Sequence, residues 1–195
     1  MRWPRARARS PFGTRATLDA HATATVGRVR VRGWGDPGSV SIGAGSAIED
    51  DVIIQISNGG RIVIGDGVRV RTSAVLNVSG MLELRGDNLV SWNCVIHCGD
   101  SVVFEEMAGT GEGVTVVDGT HFHGAIGAAD EHWYHNNRHA PVVIGRNTWL
   151  AAKCTIGAGV TLGARTTVAA HSFVREGVYE DGIVLAGSPA RRVDS

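Results

Sequence analysis

The residues best suited to chemistry in this 195-residue chain cluster in the segment VVDGTHFH. His121 and His123 stand two apart there, and Asp118 lies three residues before the first of them. Imidazole is the side chain whose proton exchange falls in the physiological range, so either histidine could take a proton from an attacking hydroxyl. In an extended segment the two would point the same way. Asp118 could hold an imidazole in one tautomer, and it is equally suited to a turn. With His97 the pair also makes a set of three imidazoles that could hold zinc and activate water. Asn93, in SWNCVIHCGD, is a further polar candidate, equally explained as a corner residue that tolerates left-handed backbone. His132, His135 and His139 lie in a Gly-, Asn- and His-rich stretch and read as solvated. Cys94, Cys98 and Cys154 have neither zinc-ribbon spacing nor the numbers for a disulfide framework, so they read as buried thiols.

The elements that must hold these groups are announced by a period of six. Between Ile144 and Val174, every sixth residue is aliphatic: Ile144, Leu150, Ile156, Leu162, Val168 and Val174. On an α-helix, residues six apart differ by about 240°, which would scatter the apolar side chains round the helix. Thirty residues are too many for a single strand. A short strand, a corner and another short strand satisfy the pattern, each strand turning one aliphatic residue inward, and such hexads stack into a β-solenoid. The period begins earlier with Ile42, Ile48 and Ile54. It slips at NGGR, resumes at Ile64, Val70 and Leu76, and slips again near SGM. It then runs through Leu84, Val90, Ile96 and Val102, and more weakly through Ala108 and Val114. The slips read as corner insertions that bulge outward. Residues 119 to 141 carry no ladder and read as a projecting loop, in which Trp133, Tyr134, Asn136 and Asn137 suit a sugar ring. Arg28 to Arg32 alternate as a strand with one wet face.

Composition agrees. Glycine is high at 27, and valine, isoleucine and threonine suit strands with tight corners. The formal charge is zero, which gives no reason to expect nucleic acid. There is no signal-peptide core and no apolar run long enough to cross a bilayer, so no membrane insertion is expected, and the setting reads as cytoplasmic. The expected organisation is an arginine-rich N-terminal arm over residues 1–25, then a single β-helix domain over residues 26–195.

The segment PVVIGRNTWLAAKCTIGAGVTLGARTTVAAHSFV…VLAGSPARRV, from Pro141 to Val193, resembles the C-terminal half of the hexapeptide-repeat acyltransferases, above all the galactoside and maltose O-acetyltransferase type. It departs from their pattern at Leu150-Ala151, where Ile-Gly is usual, and at Ala169-Ala170-His171, where Gly-Ala-Gly is usual. The resemblance implies an all-β, left-handed parallel β-helix of triangular section. It also implies a homotrimer with active sites between subunits, and transfer of an acetyl group from acetyl-CoA to a hydroxyl of a sugar or glycan, with no metal. It places the catalytic base at His121, with His123 as fallback, and gives Asn93 a contact with the acceptor or a part in orienting the imidazole across the subunit cleft. For the coenzyme A arm it points to Trp149, Ala152 and Ala170, and for the phosphates to Arg175 and Arg191. Three other readings stay open: a γ-carbonic-anhydrase-like metal enzyme, an amino-sugar N-acetyltransferase and a non-catalytic scaffold. The first of these families spaces two of its histidine ligands five apart, whereas His121 and His123 are two apart.

Overall fold

The computed structural model describes residues 6–9, 15–121 and 137–193. These form a three-sided parallel β-solenoid, consistent with the left-handed β-helix expected from the hexads, and contain no helix. The first and second faces are nine-stranded sheets and the third is seven-stranded. Strands of one face follow each other coil by coil, so each side chain sits above its counterpart in the next coil. Val40, Ile62, Leu82 and Val102 stack in this way on the first face, and Ile54, Leu76 and Ile96 on the third. The six residues of the ladder from Ile144 to Val174 are each at most 1% exposed and take the three faces in turn. Two antiparallel strands end the parallel stack: Ala6–Arg9 on Arg15–Ala20, and Ala190–Val193 on Val184–Gly187. The strand Arg15–Ala20 already pairs in parallel with Ser39–Ile42.

Coil length explains the phase slips. From Val40, successive coils on the first face step by 22, 20 and 20 residues, against 18, three hexads, from Val143 to Thr161. The surplus residues all fall at one corner, where the third face turns into the first: four at residues 57–60, and two each at Ser79-Gly80 and Gly99-Asp100. The slip at Gly99-Asp100 escapes a hexad count. Two extra residues preserve the alternation of inward and outward side chains, so Val102, Ala108 and Val114 are buried. They nevertheless belong to another column: the counterparts of Leu84 and Ile96 are Phe104 and Val116.

The other two corners are tight and need left-handed backbone at one residue per turn. Met107 fills such a position with φ 63° and a half-exposed side chain. A side chain with Cβ is strained there, whereas asparagine visits the region readily. Met107→Asn is expected to raise stability by up to about 1 kcal/mol, measured as a higher midpoint in urea.

Candidate functional site

The corner that absorbs the surplus residues is also where the chain leaves the stack. After Thr115–Val117 on the third face it departs at Asp118, and it rejoins the first face at Val142–Ile144. The root of the excursion is a two-stranded antiparallel ribbon in which Gly119 faces His139, Thr120 faces Arg138 and His121 faces Asn137. His121 is exposed on this ribbon. His123, Trp133, Tyr134 and Asn136 lie outside the described residues.

Asp118 is the best-connected polar side chain in the region. It is 0% exposed, and its carboxylate accepts the N–H groups of Gly99 and Asp100 at 2.7 Å and of Ser101 at 2.9 Å. The preceding coil shows why. There the equivalent N–H groups, of Ser79, Gly80 and Met81, bond to the carbonyls of Cys98 and Asp100. One coil on, the chain has turned outward, and among the described residues the Asp118 side chain supplies the acceptors that backbone carbonyls supply in the coil before. Its backbone serves the same joint: Asp118 N–H donates to the His97 carbonyl, and Ala140 N–H to the Asp118 carbonyl.

Asp118 also has an imidazole beside it, that of His139, with Nδ1 3.5 Å from Oδ1. The ring fills a slot against two glycines: a Cβ on Gly99 would fall within the imidazole, and one on Gly119 would lie 2.8 Å from Nδ1. Sequence reading set His139 aside as solvated, because no motif surrounds it and its partner is twenty-one residues away.

Asn93, Ala152 and Ala170 gather at a different edge of the prism, where the second face turns into the third. Asn93 holds a left-handed corner position at φ 56°, as Lys153 and His171 do below it at 59° and 58°. Ala152 and Ala170 stack in one column, and the Ala152 carbonyl accepts the His171 N–H. The small side chains leave the edge open there, whereas Trp92 stands above them, 45% exposed, with the Arg71 guanidinium 4.4 Å from its ring centre. Trp149 lies on the second face, its ring 3.2 Å from where a Gly109 Cβ would be. Arg175 is exposed at the corner between the third and first faces, and its carbonyl accepts the Tyr179 hydroxyl at 2.9 Å. Arg191 is exposed on the closing hairpin. The breadth of the third face thus separates the root of the ribbon, at Asp118, from Ala152 and Ala170 within one chain.

The cysteines are buried and unpaired. Burial, followed by the nearby Asp118 charge, pushes the Cys98 thiol up to about 12, and burial pushes Cys154 up to about 12. Burial raises Cys94 as well, with its sulfur 3.2 Å from the Thr110 hydroxyl. Both large shifts start from an ordinary value of 9.0, so between pH 9.0 and about 12 an unfolded chain sheds thiol protons that the folded chain keeps. The stabilisation is complete below that window and falls as pH rises through it. Denaturant midpoints should therefore drop with alkaline pH more steeply in the wild type than in a Cys98→Ala, Cys154→Ala variant. Among the described residues, no group of three or more His, Cys, Asp or Glu side chains is placed to hold a metal ion.

Comparison with known proteins adds to this geometry. Residues 141–176 match the family Bacterial transferase hexapeptide (six repeats). No curated protein sequence matches the chain significantly. Among solved structures the chain is similar to a variant of AntD, an N-acyltransferase from Bacillus cereus, in complex with dTDP and coenzyme A. That match has TM-score 0.67 and 21% identity, and covers 79% of this chain and 83% of that one. It is also similar to a hexapeptide transferase family protein from Anaplasma phagocytophilum, with TM-score 0.55, 16% identity and coverage of 92% and 79%. Another AntD variant, in complex with dTDP-4-amino-4,6-dideoxyglucose and coenzyme A, matches with TM-score 0.53, 15% identity and coverage of 92% and 80%. At these identities the likeness establishes the fold.

Proposed function

We propose that the protein is an acyl-CoA-dependent acyltransferase that moves an acetyl group from acetyl-CoA to a hydroxyl of a sugar or glycan precursor. The observation that carries this reading is the joint at Asp118. An exposed histidine, His121, stands on a ribbon rooted in a β-helix, and that helix continues directly into the coils matched by the hexapeptide transferase family. The open edge at Ala152 and Ala170 fits a narrow pantetheine arm, because small side chains let it approach the backbone. Arg175 and Arg191 are exposed cations available to its phosphates.

In this reading an imidazole nitrogen of His121 takes the acceptor's hydroxyl proton as the oxygen attacks the thioester carbonyl. The tetrahedral adduct collapses by breaking the carbon–sulfur bond, and the coenzyme A thiolate recovers the proton from the imidazolium. The breadth of the third face between the root of the ribbon and the Ala152–Ala170 edge supports a site shared between chains, with His121 of one subunit meeting the edge of the next in a homotrimer. Light scattering should then give a mass near three times the 20.5 kDa of the chain.

An amine acceptor is the second reading, favoured by the similarity to an N-acyltransferase solved with a nucleotide-linked amino sugar. One experiment separates the two. Release of coenzyme A is followed while the protein meets acetyl-CoA with a panel of sugars, glycan precursors and nucleotide-linked amino sugars, and each product is treated with hydroxylamine. A labile product is an ester and supports the first reading; a stable one is an amide and supports the second. Failure of calorimetry to detect coenzyme A binding would remove both.

A further inference from the structure

We propose that His139 is a positioning residue that holds the ribbon carrying His121 at a fixed angle to the β-helix. The inference rests on the reading of His121 as the base, and three observations carry it.

The first is register. Residues directly opposite each other in an antiparallel pair turn their side chains to the same side, and neighbours along a strand alternate. Gly119, His121, Asn137 and His139 therefore share one side of the ribbon, with Thr120 and Arg138 on the other. His121 and His139 are diagonal partners, whose backbones stand about 7–8 Å apart, within reach of long side chains.

The second is anchorage. A two-stranded ribbon is marginal in water by itself, so its direction depends on what fixes its root. The backbone fixes it through Ala140 N–H on the Asp118 carbonyl and Gly159 N–H on the Ala140 carbonyl. These bonds hold the ribbon at its root, at residues 118 and 140. The His139 ring adds a side-chain brace to that root, wedged against Gly99 of the coil above and Gly119 of the facing strand. The third is the partner. Asp118, at 3.5 Å from His139 Nδ1, is itself immobilised by three N–H groups of the adjoining coil. The imidazole is thus tied to the rigid stack and not only to the excursion.

The test combines kinetics with a spectroscopic signature. His139→Ala and His139→Gln are prepared, and the His121 imidazole resonances are identified by their loss in His121→Ala. In His139→Ala the His121 resonances should shift, and kcat should fall by about 10²-fold, the cost of a misplacement of about 1 Å. KM for acetyl-CoA should stay within a factor of about two. His139→Gln, which keeps a donor for Asp118, should recover part of the loss, and it replaces the alanine variant if that variant fails to fold. Unshifted His121 resonances in the folded variant overturn the proposal whatever the activity. Shifted resonances in a protein that shows no acyl transfer sustain the positioning role and remove the catalytic reading instead.

Discussion

Replacing His121 by alanine is expected to lower kcat for acetyl transfer by about 10²–10⁴-fold, the usual contribution of a positioned general base. Binding of coenzyme A should change little, because the base serves the acceptor's hydroxyl while the edge at Ala152 and Ala170 is proposed to hold the pantetheine arm. The expected pattern is therefore a loss in kcat with calorimetric affinity for coenzyme A preserved, which separates removal of a base from collapse of the fold. His121 is exposed on the ribbon and is not a member of the buried core, so the substitution leaves the core packing in place. An activity that survives the change would require another base, and His123 is then the residue to replace next.

Replacing Asp118 by alanine is expected to destabilise the protein by about 3–5 kcal/mol. Three backbone N–H groups lose their acceptor at once, each at a cost of about 1–3 kcal/mol when left unpaired, with partial relief from water at the corner. Among the described residues, no backbone carbonyl takes the place of those that serve the equivalent N–H groups in the coil before. Asp118→Asn should retain part of the stability, since its side-chain carbonyl still accepts one or two of these bonds. Thermal melting followed by circular dichroism distinguishes the outcomes. A loss below about 1 kcal/mol would mean that the corner rearranges to pair its own donors. Loss of Asp118 also releases His139, so activity should fall further than stability alone accounts for.

Other parts of the site were readable to different degrees. Asn93 was offered as an acceptor contact or a corner residue, and its φ of 56° within a column of left-handed positions accounts for an asparagine there without any ligand. Asp118 was offered as a turn residue or the orienting partner of His121. The structure shows it closing a gap in the β-ladder, with His139 beside it. Neither fact leaves a mark in the nearby sequence.

By itself the sequence determined the solenoid. Each hexad repeats the same local instruction, one aliphatic residue inward and a small or left-handed residue at the corner, so the pattern is complete within any short window and survives to the scale of the fold. The ladder from Ile144 to Val174 and the slips at NGGR and SGM could be assigned without coordinates for this reason. Only the tertiary structure decided how the excursion is held. Residues 99–101, Asp118 and His139 are far apart in the chain and meet because one coil ends and another resumes at a single corner of the prism. Such a meeting depends on which N–H groups the departing strand leaves unpaired and which side chain fills the space above two glycines. Both are set by the stacking of coils, and no periodicity in the sequence records them.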